Sequence, residues 1–438
     1  MKRVAVVGTG YVGLVSGAGI SDFGHQVICA DIDTDKIERL LQGEIPIYEP
    51  GLKEIVDRNV AAGRLLFTHD VPAAIRQSEV IFIAVGTPQG DNGDADLTAV
   101  FAVAETIGKN LNGVKTICTK STVPIGTGKK ICTILEKFNA DHHPFYYVSN
   151  PEFLREGSAV KDFMHPDRVV VGASAPEAYA VLRDVYRPLY INETPLVETN
   201  VETAETIKYA SNAFLALKIS YINEMANLCE TVGADVHVVA KTMGSDGRIS
   251  PKFLHPGPGF GGSCFPKDTR ALLGIARAHG LPFRTIEAAV EANEGQKQRM
   301  AAKLEQLVGD TLQGKTIGIL GLAFKPQTDD VRESAAIPMI RFLERKGATI
   351  RAYDPVANES MRCHFPQVIY CERWEDAVRD TDAVVILTDW NEFRGMDLQK
   401  MRQLVRHPRL LDTRNILSMK ELAALGFAYD NVGRGIRP

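Results

Sequence analysis

The first 31 residues leave few folds open. Arg3-Val4-Ala5-Val6-Val7 is a continuous apolar, β-branched run, the pattern of a strand buried on both faces of a sheet. Gly8-Thr9-Gly10-Tyr11-Val12-Gly13 follows, then a small-residue helix from Leu14 to Phe23 and a second strand, Gln26-Val27-Ile28-Cys29-Ala30, ending in Asp31. A GxGxxG alone is a weak signal. Between strand and helix, with an acidic residue 18 positions after Gly13, it is a strong one for a dinucleotide. The glycines admit a pyrophosphate to the helix N-terminus, and Asp31 offers its carboxylate to the ribose hydroxyls. A carboxylate there repels a 2′-phosphate, so NAD is expected over NADP, with Lys36 near enough to temper that choice. Without a ligand, the same residues form a plain glycine-rich turn.

Three further strand-like runs end alike. Val80 to Val85 closes in Gly86-Thr87-Pro88, and Thr116 to Thr119 in Lys120-Ser121-Thr122-Val123-Pro124. Phe145 to Val148 closes in Ser149-Asn150-Pro151-Glu152-Phe153-Leu154-Arg155-Glu156. Helical segments separate them, which predicts a parallel α/β sheet with its ligands outside the carboxyl ends of the strands. Thr87, Thr122, Glu152 and Glu156 are therefore expected on one crest with the glycine loop. Each singly reads as a loop residue or helix cap; their recurrence at one structural place argues for function. Glu152 and Glu156 read as a catalytic pair or as one solvated helix face.

The chain has 438 residues, enough for two or three domains. A net charge of −4 gives no electrostatic case for nucleic acid or an anionic membrane. No apolar run approaches a membrane span, and the strand pattern beginning straight after Met1-Lys2-Arg3 leaves no room for a signal peptide. The seven cysteines are scattered without metal spacing. Cys29, Cys118, Cys132 and Cys229 sit in apolar runs and read as core. A reducing cytoplasm is the expected compartment, with no metal.

Glu202 to Thr231 is a run of strong helix formers without Pro or Gly, roughly 45 Å long at 1.5 Å per residue. Apolar residues at Ile207, Ala210, Phe214, Leu217, Ile219 and Ile222 suggest burial on more than one face, as in a helix between domains or at a subunit interface. Lys208 and Asn212 share a face with Glu205. They read as functional, or as an ordinary Glu205–Lys208 surface pair. An irregular stretch from Gly244 to Gly262 carries Arg248, Lys252, Phe253 and His255. It leads to Gly259-Phe260-Gly261-Gly262-Ser263-Cys264-Phe265-Pro266-Lys267-Asp268. Proline suits a helix start, so Cys264 is expected just outside a helix N-terminus, where the helix and Lys267 favour thiolate. Asp268 lies near the sulfur if that helix begins early enough. The alternative is a glycine-rich loop around a buried, inert cysteine.

A helical linker over about 286–312 precedes a second α/β unit. Lys315 to Gly321 reads as a strand, Ala335 to Lys346 as a helix, and Thr349 to Tyr353 as a strand before Asp354. Here the glycine fingerprint gives way to a longer loop, Leu322 to Arg332, whose Lys325 and Arg332 suit a pyrophosphate bound by side chains. Strands at Ala383–Leu387 and Arg409–Leu411 follow, the second ending in Asp412-Thr413-Arg414-Asn415.

Nearly end to end, the chain resembles the UDP-glucose/GDP-mannose dehydrogenase family. The resemblance rests on Val7 to Leu14, Glu49-Pro50-Gly51-Leu52, Val85 to Pro88, Lys120 to Pro124, Asn150 to Leu154, Lys208 with Asn212, and Gly259 to Asp268. It implies two Rossmann-like doubly wound α/β domains joined by a long central helix: an NAD-binding domain at 1–200, a central helical domain with the cysteine loop at 201–300, and a UDP-sugar domain at 301–438. It implies a four-electron oxidation of UDP-glucose to UDP-glucuronate with two NAD+, through a thiohemiacetal and a thioester on Cys264. By the same resemblance Lys208 and Asn212 stabilise an oxyanion, Asp268 and Thr122 position water or serve as base, and Glu152 and Glu156 assist proton transfer. NAD would be held by Gly8, Gly10, Tyr11, Val12, Gly13, Asp31, Lys36, Thr87, Thr122, Glu156, Lys267 and Arg332. The sugar nucleotide would meet Glu152, Phe153, Leu154, Lys208, Asn212, Lys252, Phe253, Leu254, Gly259, Phe324, Lys325 and Arg414. Arg248 would reach a neighbouring subunit's sugar site, in a homodimer formed through the central helix. Some relatives carry two consecutive arginines where this chain has Arg414-Asn415.

Three alternatives belong beside that reading. One is the same chemistry on another nucleotide sugar, such as GDP-mannose. A two-electron hydroxyacid dehydrogenase would have no use for Cys264 or the second α/β unit. A non-catalytic sensor would be expected to have lost Cys264, Lys208 or Asp268.

Overall fold

The computed structural model describes residues 1–90, 95–309 and 311–435. It divides into two compact units, Met1–Ser211 and Asn212–Pro438. The strands of the first are β1 (Arg3–Val7), β2 (Gln26–Ala30), β3 (Leu65–Thr68), β4 (Val80–Ile83), β5 (Lys115–Thr119), β6 (Phe145–Ser149), β7 (Val169–Ala173) and β8 (Leu196–Thr199). They lie in the order β3-β2-β1-β4-β5-β6-β7-β8, with every neighbouring pair parallel except β6 with β7. The order turns back on itself at β1 and β4, the switch point where doubly wound sheets bind ligands. Apolar layers cover both faces: Leu14, Ile20, Ile37 and Phe163 pack on one, and Ile75, Val100, Ile107 and Ile131 on the other. This is why β1 and β4 read as unbroken apolar runs.

The second unit is a six-stranded, wholly parallel sheet. Its strands are β9 (Thr316–Leu320), β10 (Thr349–Tyr353), β11 (Ile369–Tyr370), β12 (Ala383–Ile386), β13 (Arg409–Asp412) and β14 (Ala428–Asn431), in the order β11-β10-β9-β12-β13-β14. The expected helical linker is the helix Arg284–Val308; Asp310, inside the span expected for it, lies outside the described residues. That helix packs against the sheet through Met300, Leu304 and Val308. Trp374 and Phe393 belong to a second apolar cluster, with Leu320, Val384 and Ile386.

The long helix is Val201–Val232, 32 residues, and the division between the units falls within it. Ala204, Tyr209, Ala213, Ala216 and Ile222 are buried. Phe214 and Ala210, read from sequence as part of the buried pattern, are exposed. No helix or strand occurs between Gly244 and Phe265, as the sequence of that stretch predicts.

Candidate active site

Each fingerprint glycine has its own physical reason. Gly8 has φ +103°, and a Cβ there would meet the Ala84 carbonyl oxygen at 2.7 Å. A Cβ on Gly13 would strike the Gly8 carbonyl oxygen. Around Gly10, which caps the helix Tyr11–Asp22, a Cβ would find nothing within 4 Å. That open space lies over the first N–H groups of a helix, the environment a pyrophosphate needs. Thr9 fixes Asp31 beside the loop: its N–H and hydroxyl donate to Oδ2 at 2.7 and 2.8 Å. A carboxylate held at the end of β2 fits the ribose of NAD. Lys36, expected to temper the cofactor choice, pairs with Asp33 at 3.4 Å.

The expected crest forms within the first unit. The Thr87 hydroxyl donates to the Thr122 carbonyl at 2.9 Å, joining the ends of β4 and β5. After β6 the chain does not become helix until Ala159, so Glu152 and Glu156 do not share a helix face. Glu152 is 5 % exposed, and its Oε1 accepts from Lys208 Nζ at 2.9 Å; Lys208 is 3 % exposed. Phe153 places its ring 5.3 Å from that ammonium and 3.7 Å from the Arg168 guanidinium. Glu156 precedes Gly157, whose N–H donates to the Tyr11 hydroxyl at 2.8 Å and to Glu49 at 2.6 Å. Glu49 also takes the Ala159 N–H at 2.8 Å and the Tyr11 hydroxyl. The surface-pair reading of Glu205 with Lys208 fails, because both are buried. Glu205 instead accepts the N–H groups of Gly126 and Gly128, at 2.6 and 2.8 Å.

In the second unit Cys264 is the N-cap of the helix Phe265–Ala278, and the Asp268 N–H donates to its carbonyl at 2.8 Å. The helix therefore starts early enough to set the carboxylate one turn from the thiol. Asp268 is 1 % exposed. Its oxygens accept from Asn212 Nδ2 at 2.6 Å and Lys267 Nζ at 2.7 Å. Lys267 thus pairs with the carboxylate one residue on. The Ser263 hydroxyl lies 3.5 Å from the Cys264 Sγ. Cys264 itself is half-buried, whereas Cys29, Cys118 and Cys229 are buried and Cys132 is half-buried.

The cysteine loop is seated on the loop after β9. Gly262, at φ +82°, faces the Phe324 ring, which a Cβ would meet at 2.7 Å, and its N–H donates to the Arg332 carbonyl. Gly259 has φ +105° and no room beside Asn293. Phe253, at φ 65°, packs its ring 6.0 Å from that of Phe265, between exposed Lys252 and buried Leu254. Lys325 Nζ lies 5.6 Å over the Phe324 ring. Arg414 donates to the Leu387 and Phe324 carbonyls at 2.7 and 3.1 Å. Asn415, where some relatives have a second arginine, is committed to the end of β14, bonding both ways with Val432. Arg332 pairs with Asp330, and exposed Arg248 with Asp246.

Three residues escaped the sequence reading of the site: Glu49, Lys120 and Glu205. Glu49 and Lys120 stand inside quoted motifs, and a charge fixed between Pro50 or Thr122 and an apolar run is a detectable signal. Glu205 gave none, because its partners are backbone groups 77 and 79 residues away.

The chain belongs to the UDP-glucose/GDP-mannose dehydrogenase family. It matches the family's NAD binding domain over residues 2–190, its central domain over 202–295 and its UDP binding domain over 318–419. It is 51% identical over 435 residues to UDP-glucose 6-dehydrogenase TuaD of Bacillus subtilis, covering 99% of this chain and 94% of that one. It is 49% identical to a UDP-glucose 6-dehydrogenase of Rhizobium meliloti, covering 99% of each. Among solved structures, a UDP-glucose dehydrogenase from Pyrobaculum islandicum superposes with a TM-score of 0.91 at 38% identity, over 96% of both chains. Among the described residues no helix is long and apolar enough to cross a membrane, and no cluster of side chains suits a metal ion.

Proposed function

We propose that this chain oxidises UDP-glucose to UDP-glucuronate, using two NAD+ per sugar. The observation that carries the reading is Cys264 at a helix N-terminus, one turn from a buried Asp268 fixed by Asn212 and Lys267. NAD+, held by Gly8 to Gly13, Asp31, Lys36, Thr87, Thr122, Glu156, Lys267 and Arg332, supplies the hydride acceptor. C6 first loses a hydride as its hydroxyl loses a proton, which gives an aldehyde with no further hydride to give until something adds to its carbonyl. The Cys264 thiolate adds to that carbon, and the thiohemiacetal loses a hydride and a proton to become a thioester. Water then adds, the C–S bond breaks, and uronate leaves with the thiol restored. Lys208 and Asn212 donate to the oxyanion; Asp268 with Thr122, and Glu152 with Glu156, handle water and protons. Lys252, Phe253, Leu254, Gly259, Phe324, Lys325 and Arg414 hold the sugar nucleotide, with Phe153 and Leu154 beside Glu152.

This division of labour assigns NAD to residues 1–200, the reactive loop to 201–300 and the UDP moiety to 301–438. The working protein is a cytoplasmic homodimer paired through the long helix, with Arg248 serving the partner's site. The test is stoichiometric: with excess NAD+ and limiting UDP-glucose, two NADH per sugar are expected. One NADH would make this an ordinary alcohol dehydrogenase. None would remove UDP-glucose as the substrate and turn the search to GDP-mannose.

A further inference from the structure

A second lysine is buried where β5 and β6 end. Lys120, the residue after β5, is 5 % exposed, and its ammonium donates to Asn150 Oδ1 at 3.1 Å and the Tyr186 hydroxyl at 3.2 Å. Tyr186 donates to the same Asn150 oxygen at 2.6 Å, and Asn150 Nδ2 donates to the Val170 carbonyl at 2.7 Å. The Asn150 N–H is used as well, by the Thr119 carbonyl at 2.9 Å. Asn150 is therefore immobilised two residues before Glu152, the carboxylate that accepts from Lys208. A side chain fixed on every polar atom, joined to a proline and then to that carboxylate, is a rigid mount rather than a loop.

We propose that Lys120 is a positioning residue for the oxidation: it locks Asn150, and so the Pro151–Glu152 step that presents the Glu152 carboxylate to Lys208. The inference rests on the reading in which Glu152 and Lys208 act on substrate. The groups facing the Lys120 ammonium are Glu152, which favours its charge, Lys208, which opposes it, the Cys118 thiol, and the Tyr186 hydroxyl and ring. Burial outweighs the attraction and brings Lys120 down to about 8.

The experiment compares wild type with Lys120→Met and with Lys120→Gln, which keeps a donor for Asn150 but no charge. Lys120→Met should lower kcat by roughly 100-fold, with KM for UDP-glucose and NAD+ little changed, and Lys120→Gln should recover part of that loss. A merely structural role would lower the folded fraction and leave the kcat of the folded enzyme unchanged. Thermal melting gives a readout independent of turnover. A lysine depressed by folding contributes stability above its unfolded value and loses it as pH falls through about 8. The melting temperature of wild type should therefore gain on that of Lys120→Met between pH 8 and pH 10. Wild-type kcat in both variants would overturn the inference while leaving the reading of the reaction intact. A wild type that forms no NADH from UDP-glucose would overturn that reading and the catalytic role of Lys120 with it. A melting gap that does not change between pH 8 and pH 10 would show that folding does not depress Lys120, and so that its ammonium is not held in the buried network described here.

Discussion

A sulfur at the start of a helix lies near the unpaired N–H groups of the first turn, which favour the negative thiolate. At Cys264 that field acts on a half-buried side chain with Asp268 one turn further on. Serine in its place keeps the shape but holds its proton far more tightly, so it is a poor nucleophile at neutral pH. Cys264→Ser is expected to bind UDP-glucose within about threefold of wild type by titration calorimetry, and to release uronate about 10³-fold more slowly or worse. Uronate released at the wild-type rate would exclude the thioester route. The cysteine was legible because glycines, proline and an acidic residue announce it within ten positions. Its surroundings were not. Lys267 has four rotatable bonds, and nothing in the sequence says that its ammonium goes to Asp268.

Elements were legible where a local pattern generates them. β1, β4, β5, β9 and β12 are buried on both faces, and such strands declare themselves as apolar runs. β3 and β8, four residues each at or near a sheet edge, are half exposed, so their sequences carry no alternation strong enough to separate them from loop. β7 was readable, since Val169-Val170-Val171 is as apolar as β1, but its antiparallel pairing with β6 depends on a connection that sequence does not encode. Glu205 shows what one element does to another. Its carboxylate takes the Gly126 and Gly128 N–H groups at the start of the helix Thr127–Phe138. Burial nevertheless pushes it up to about 7. A carboxyl raised by folding contributes stability fully below its unfolded value, and that contribution is lost as pH rises through about 7. Wild type should therefore lose melting temperature relative to Glu205→Gln between pH 5 and pH 8, by a few degrees. A difference that stays constant over that range would show that the carboxylate remains ionised throughout.

At the scale of the whole molecule, the long helix carries large apolar side chains that the chain leaves open to water. Phe214, Tyr221 and Leu228 are 61 %, 47 % and 52 % exposed, and at spacings of seven they form one line along the helix. A line of large apolar side chains open to water is the mark of an interface. A helix that meets its own copy about a two-fold axis buries the same line twice. In the dimer proposed above, Tyr221→Glu would bring two carboxylates into the contact, and is expected to raise the dissociation constant by about 30-fold or more in sedimentation equilibrium. Arg248, whose side chain is 89 % exposed and paired with Asp246 two residues away, makes the same association testable through activity. If it serves the partner's site, Arg248→Ala and Cys264→Ser chains are each defective alone. A mixed dimer nevertheless contains one site with an intact Cys264 and an intact arginine from across the axis. Mixing the two variants in equal amounts, with subunit exchange, should restore about a quarter of wild-type activity. Recovery should fail when Tyr221→Glu is added to both chains. If mixing restores nothing while exchange is confirmed, Arg248 acts within its own chain or not at all.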